Sequence, residues 1–285
     1  MATLRQLRTR VSSISNIQKM TNAMQLVAAA RMRKAQESIL AARPYAQQIN
    51  RILRQLGTSA EAAEHPLLSE RPIQREAILV VTADRGLCGA FNANICRRVA
   101  AELAQKGDTE TLLITVGKKG RDYFHNRGHS IHREHRDLFR ELIFNQAVTV
   151  AADATELFMS GAVDRVSIVY SEFKSVAQQT PVLSQLLPIV PGEVDEEDTV
   201  DFAFEPEPVR LLEALVPRHV NFQIWRALLE SNAGELAARM TAMDNATKNA
   251  GDLIDDLTRE VNKVRQASIT LELMDIIGGA EAVAQ

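Results

Sequence analysis

Leu4-Arg5-Gln6-Leu7-Arg8-Thr9-Arg10-Val11-Ser12-Ser13-Ile14 sets apolar residues at steps of three and four. The alternation runs on without a break through positions 18, 21, 25, 28, 32, 35, 39, 42, 46, 49, 53 and 56. Most of these are apolar or small: Ala28, Met32, Ala35, Ile39, Ala42, Ala46, Ile49, Leu53 and Leu56. A stripe kept over more than three heptads marks a coiled coil rather than an ordinary amphipathic helix. Gln18, Thr21 and Gln25 interrupt it. There the apolar face is expected to move over by one position, to Ile17, Met20, Met24 and Val27, which alters the winding locally. Pro44 predicts a kink, because it removes one backbone hydrogen bond and crowds the preceding turn. Gly57 predicts the end.

The other end of the chain repeats the pattern. Leu236, Met240, Met243, Thr247, Ala250, Ile254, Leu257, Val261, Val264, Ser268 and Leu271 step by four and three. Charged residues such as Asp255, Asp256, Arg259, Glu260, Lys263 and Arg265 flank that stripe. Pro217 predicts a start or a kink, and Gly278–Gly279 a fraying end. At about 1.5 Å per residue the two helices would run roughly 80 and 100 Å, more than a domain of this size covers.

Between them the pattern changes. Ala77 to Thr82 reads as a buried strand, residues 90–105 as a helix, Thr111 to Val116 as a strand and Lys118 to Asn126 as a short helix. Ser130 to His135 reads as a weak strand, Leu138 to Met159 as a helix, and Arg165 to Tyr170 and Val182 to Ile189 as strands. Alternation of this kind predicts a layered α/β domain on a mostly parallel sheet. Residues 191–208, rich in Pro, Asp and Glu, read as an exposed connection. Three segments follow: an N-terminal coiled-coil helix over 1–57, an α/β domain with its acidic connection over 58–208, and a C-terminal coiled-coil helix over 209–285. If the terminal helices pair within one chain, connectivity makes them antiparallel. The second is the longer, so its apolar tip, residues 274–284, should overhang with no intrachain partner.

The totals agree with a helix-dominated chain. Of 285 residues, 46% are hydrophobic but only 5% aromatic, too few for an aromatic-rich globular core. The net charge of −3 hides an asymmetry. Residues 1–56 carry ten Lys and Arg against the single acid Glu37, while the other 229 hold 23 basic and 35 acidic side chains. A basic helix on an acidic body implies an acidic partner, whether protein, membrane surface or nucleic acid. Without aromatic interleaving or a base-reading motif, an acidic protein surface is the favoured counterpart, and no nucleic acid is expected. No apolar run approaches the roughly 20 residues of a membrane span, and Met1 to Arg10 lacks a signal-peptide core. A soluble, cytosolic chain is therefore expected.

Three constellations invite a chemical reading. Asp84-Arg85-Gly86-Leu87-Cys88-Gly89 follows a strand and precedes a helix, where α/β proteins bind phosphates. It matches neither the dinucleotide fingerprint nor the phosphate loop, so a tight turn explains the glycines better. Cys88 lies near Arg85 and a helix start, but a small buried thiol is the commoner case; Cys88 and Cys96 suggest no disulfide scaffold. His125, His129, His132 and His135 have no acidic or Cys ligand at a matching interval, so no metal is expected. No catalytic residue and no cofactor is assigned.

The segment Lys19 to Gln36 (KMTNAMQLVAAARMRKAQ) resembles the N-terminal helix of the gamma subunits of F-type ATP synthases. Thr82 to Asn92 (TADRGLCGAFN) resembles the start of that family's middle domain. Ala238 to Thr247 (ARMTAMDNAT), with Arg265 to Leu273 (RQASITLEL), resembles its C-terminal helix. The matches come in family order and cover essentially the whole chain. The resemblance implies an antiparallel two-helix coiled coil with a small Rossmann-like α/β domain. It also implies a non-catalytic central-stalk rotor on the cytoplasmic face of the bacterial inner membrane, bound there peripherally. Its partners would be the alpha and beta subunits of the catalytic hexamer, the epsilon subunit and the membrane rotor ring of c subunits. Proton flow would turn it to drive ATP synthesis, and it would bind no nucleotide itself.

By match to the family's motifs, Met24 lies near acidic catch loops of the beta subunits and Arg239 supports the same zone. Arg31, Arg33 and Lys34 form a basic belt that faces those loops. Arg265, Gln266, Thr270 and Glu272 match positions that contact a catch higher on the shaft. Ile276, Ile277 and Val283 match a tip that turns in a hydrophobic bearing. Two departures stand out. The regulatory cysteine pair of the chloroplast type is missing, and Ala90 stands where many members have a second glycine.

Overall fold

The computed structural model describes residues 3–56, 65–105, 110–190 and 207–283, the side chains of 208 and 278–283 excepted. In chain order it contains α1 (Leu4–Leu56), β1 (Arg75–Val81), α2 (Phe91–Gln105), β2 (Glu110–Val116), α3 (Lys118–His125) and β3 (Ile131–His135). A single 3-10 turn (Leu138–Arg140) leads to α4 (Phe144–Met159), β4 (Arg165–Phe173), β5 (Gln179–Leu187) and α5 (Pro208–Val283). The chain is an α/β protein with long terminal helices, 53 and 76 residues long. It divides into two compact units, one of residues 1–28 with 240–285, the other of 29–239.

The first unit is the antiparallel helix pair. The Thr21 and Thr247 hydroxyls meet at 2.7 Å, and Gln25 Nε2 donates to Asp244 Oδ1 at 3.0 Å. A Cβ on Gly251 would stand 3.1 Å from Gln18 Nε2. As the position on α1 rises, its partner's number on α5 falls. Leu7 and Ala28 on α1 and Met243, Ala250 and Leu257 on α5 are buried along this seam. Burying each leucine contributes about 2 kcal/mol.

The seam corrects one sequence expectation. The apolar face does not move over at 18–25; the polar residues stay in the interface. Ile17, Met20 and Val27 are 50%, 59% and 54% exposed, and Met24 is half-buried. The reason lies on the opposite helix. Facing positions there are Gly251, which leaves room for Gln18, and Thr247 and Asp244, which bond Thr21 and Gln25; none offers an apolar side chain much to pack on. Each threonine hydroxyl also has an acceptor on its own helix, Gln18 O at 3.0 Å and Met243 O at 2.8 Å. Replacing both by valine therefore strands no donor, and about 1 kcal/mol of added stability is expected from the apolar contact. Urea unfolding followed by helical circular dichroism tests this; a lowered midpoint would assign the hydroxyl layer the larger contribution.

The second unit is built on a five-stranded sheet, order β3-β2-β1-β4-β5, parallel except for the antiparallel β4–β5 pair. The central strand β1 is buried on both faces, which is why it reads as a continuous aliphatic run. Ile78 and Val80 point into a core with Phe91, Ile95, Val99 and Phe124 from α2 and α3. Ala77, Leu79 and Val81 point the other way, into a core with Ala147, Val150 and Phe158 of α4. The same core takes in Ile49, Leu53 and Leu56 from the end of α1 and Leu212, Val216, Val220 and Ile224 from α5.

Several boundaries differ from the expected ones. The helix expected over Leu138 to Met159 is broken, because after a 3-10 turn at Leu138–Arg140 both Glu141 and Ile143 are extended. Gln146 Oε1 accepts from Ile143 N at 3.1 Å and starts α4 afresh. Pro217 neither starts nor ends a helix. Pro208 opens α5, where its missing N–H has no intrahelical partner to lose, and α5 runs on through Pro217 and the 278–279 glycine pair. Pro44 likewise lies within an unbroken α1. Gly57 and nearly all of the acidic connection lie outside the described residues.

Candidate functional site

The belt residues Arg31, Arg33 and Lys34 are exposed on α1, on the solvent side of the buried Met32 and Ala35. In the helix pair, Arg265, Gln266, Thr270 and Glu272 are all exposed on α5. Thr270 Oγ1 donates to Gln266 O at 2.9 Å, a contact within the helix. Among the described side chains of α5, Val264 is the last half-buried one; residues 265–277 are exposed throughout. Ile276 and Ile277 reach 68% and 59% exposure, and Leu271, Leu273 and Met274 are bare beside them. A row of uncovered large aliphatic groups on one helix needs another chain to bury it. The Val283 side chain lies outside the described ones.

Arg239 differs from the other belt and catch positions. Its guanidinium is mostly buried and bonded within the second unit: Nε donates to Glu235 Oε1 at 2.9 Å, and Nη1 to the Gly86 carbonyl at 2.9 Å. Burial pushes the Glu235 carboxyl up, while Arg239, Arg31 and Arg85 pull it down. Glu235 was not picked out from the sequence. Its one visible signal there is the i,i+4 spacing from Arg239, the spacing at which helical ion pairs form. Gly86 carries no side-chain signal at all.

The 84–89 loop is a structural junction. Asn92 Oδ1 accepts from Ala83 N at 2.9 Å, and Asn92 Nδ2 donates to Arg85 O and to Cys88 Sγ at 3.4 and 3.1 Å. Asp84 Oδ1 accepts from Lys118 N at 3.0 Å, tying the loop to the start of α3. The Ala83 and Lys118 amides and the Arg85 carbonyl are thus held by the chain's own side chains. Cys88 is buried, and burial first, then Glu235, pushes its thiol up, the opposite of an activated nucleophile. Burial raises Cys96 to about 11. His135 Nε2 lies 2.8 Å from Asp153 Oδ2, and the His129 ring stands edge-on to Phe124. Among the described residues no three His, Cys, Asp or Glu side chains gather as a metal site. No described helix is long and apolar enough to cross a membrane.

Burial also depresses His219, to about 4, with Gln223 Nε2 3.3 Å from its Nε2. The folded state then holds fewer protons than the unfolded one between about pH 6.5 and 4. Stability from this group is complete above about pH 6.5 and is lost as the pH falls toward 4, by up to about 3 kcal/mol. His219→Gln is expected to flatten that slope in urea midpoints measured from pH 7 to 4. An unchanged slope would show that another group carries the acid sensitivity.

An antiparallel pair of helices from the two ends of one chain, an α/β unit and a bare apolar helix tip define a class: a stalk protein. A family model described as ATP synthase matches residues 3–283. The ATP synthase gamma chain of Pelotomaculum thermopropionicum is 45% identical over 284 residues, covering 99% of this chain and 100% of the relative. That of Chlorobium phaeobacteroides is 46% identical over 294 residues, with 99% of each chain covered. Among solved structures, a chain of the Euglena gracilis mitochondrial ATP synthase rotor shares the fold with a TM-score of 0.65 at 20% identity, covering 93% of this chain and 98% of that one. A chain of the Tetrahymena thermophila central stalk and c-ring has a TM-score of 0.62 at 24% identity, covering 80% and 99%. The chain belongs to the ATP synthase gamma-chain family.

Proposed function

We propose that the chain is the rotor shaft that couples proton flow to ATP synthesis, turning inside a hexamer of alpha and beta subunits and pushing the beta subunits through their cycle in turn. The observation that carries this is the bare tip: residues 265–277 are an exposed helix rich in large aliphatic side chains, which calls for an apolar sleeve. The basic belt of Arg31, Arg33 and Lys34, with Met24 on the same helix, supports contact with acidic catch loops of beta. Arg265, Gln266, Thr270 and Glu272 support a second, polar set of contacts, with Ile276, Ile277 and Val283 in the bearing. Loose charged contacts at exposed positions suit a rotor, since breaking a buried pair at each step would cost several kcal/mol.

On this reading the epsilon subunit and the ring of c subunits are the remaining partners, and the chain sits peripherally on the cytoplasmic face of a bacterial inner membrane. The division into 1–57, 58–208 and 209–285 belongs to the same proposal. Mixing the purified chain with alpha and beta subunits tests it. A complex that hydrolyses ATP only when the chain is present is the expected result. A chain that binds neither subunit would be a coiled-coil adaptor instead.

A further inference from the structure

The strand order β3-β2-β1-β4-β5 reverses direction between β1 and β4: the chain leaves β1 toward β2 and β3, then returns to the other flank as β4. In open α/β sheets, ligands bind in the crevice at the carboxyl ends of such a strand pair. A crevice of about 100 Å³ lies at that place. Ala90 and, on α2, Phe91, Asn94 and Ile95 form one wall. Ser171 of β4 and its register partner Pro181 of β5 form another, and Ala238 of α5 closes the space. Val80 pairs with Val169, so Ser171 stands just past the end of β1.

Ser171 is only 3% exposed. Its N–H donates to Ser231 Oγ at 3.0 Å, but its own hydroxyl has no hydrogen-bond partner among the described residues. Buried polar groups are rarely left unmet, and one that opens on a cavity calls for an occupant. The hydroxyl lies on the crevice side. A Cβ on Gly234 would stand 3.1 Å from Ser171 Oγ and 3.5 Å from Phe91 Cε2, so the bare glycine keeps the space in front of the hydroxyl clear. Asn94 Oδ1 accepts from Arg97 Nη1 at 3.1 Å, which leaves the Asn94 NH2 group to donate. The remaining walls, Phe91, Ile95, Pro181 and Ala238, are apolar, and no ionisable side chain lines the crevice. An ion would lose its hydration there without a counter-charge.

We propose that this crevice is a binding site for a small uncharged molecule with a hydroxyl or amide head, which meets Ser171 Oγ and Asn94, and a short aliphatic body. A water molecule takes about 30 Å³ in the liquid, so the space admits only a handful of non-hydrogen atoms. Water alone would meet the hydroxyl but leave the apolar walls wet, which an aliphatic body relieves. The site is complete within one chain and stands independently of the central-stalk reading.

Titrating the isotope-labelled full-length chain with 2-methylpropan-1-ol, and following the backbone amide resonances around Ser171, tests this. Saturable shifts confined to the crevice, with half-saturation in the millimolar range, are the expected result. Ser171→Ala removes a hydroxyl that bonds nothing in the fold, and binding about five-fold weaker is expected from the loss of one hydrogen bond. Ala238→Leu puts a larger side chain into the crevice and is expected to abolish the shifts while Trp225 fluorescence stays native. Gly234→Ala, which crowds Ser171 Oγ, covers the case in which A238L does not fold. Shifts that never saturate in the wild type, or that persist unchanged in a folded filling variant, would overturn the site. Equal binding by S171A would overturn the hydroxyl as the recognising group, and with it the class of ligand.

Discussion

Gly117→Ala is expected to destabilise the α/β unit by about 3–5 kcal/mol, because among the described glycines it has the tightest surroundings. Gly117 joins the end of β2 to the start of α3 at φ +88, where an L side chain is strained whatever space surrounds it. There is no space either. A Cβ would overlap the carbonyl oxygen of Thr82 and stand 2.6 Å from its carbon. The overlapped atoms are backbone, so no side chain can swing aside. They are also held in place, because Thr82 N donates to Val116 O at 2.8 Å and Thr82 Oγ1 accepts from Gly120 N at 2.8 Å. Relief requires parting β1 from β2 at the centre of the sheet. Trp225, the only tryptophan, packs against Phe144 in the same unit and reports its unfolding. A urea midpoint within about 0.5 kcal/mol of the wild type would mean that the two strand ends separate more easily than their hydrogen bonds suggest.

Arg239→Ala is expected to cost about 3 kcal/mol, most of it from the charge it leaves behind. Glu235 would remain buried without the partner that lowers its pKa most, and Gly86 would lose a hydrogen bond. The sign of the pH dependence follows from the direction of the shift. Burial already raises the folded-state pKa of Glu235, and losing Arg239 raises it further. The folded variant then holds a proton that the unfolded chain gives up, so the defect is full at neutral pH and shrinks as the pH falls through the folded-state pKa. Measured against the wild type, which removes the common contribution of His219, the gap should narrow between pH 7 and 5. At pH 7, adding Glu235→Gln should restore most of the loss. A defect of equal size at both pH values, with no rescue by E235Q, would trace the effect to packing alone.

How much of this was legible in the sequence varies by element. The stripes from Leu4 to Leu56 and from Leu236 to Leu271 show two long helices, because a seam between helices needs apolar residues at every heptad and little else. Antiparallel pairing follows from connectivity, and β1 is visible because a strand buried on both faces must be aliphatic at every position. The break at Glu141 to Ile143 is not visible: Leu138 to Met159 keeps a helical apolar rhythm across a local backbone choice. The overhang expected over 274–284 from unequal helix lengths is bare over its described side chains, 274–277, and the exposed stretch begins earlier, at Arg265.

The polar layer and the grip of Arg239 on the Gly86 carbonyl belong to tertiary structure. Gln18, Thr21 and Gln25 read as a fault in the stripe when seen on one helix; they become an interface only beside Gly251, Thr247 and Asp244. Arg239 looked like one more cation on a shaft until the fold brought it 2.9 Å from a carbonyl 153 residues earlier. A repeat along one helix is a local property, set by 3.6 residues per turn, and the sequence by itself determined the helical stripes and the family they belong to. Which polar group meets which depends on register and on chain brought together from far apart, and a backbone carbonyl such as that of Gly86 leaves no mark in the sequence. Only the folded chain decided that Thr21 faces Thr247 and that Arg239 holds the Gly86 carbonyl.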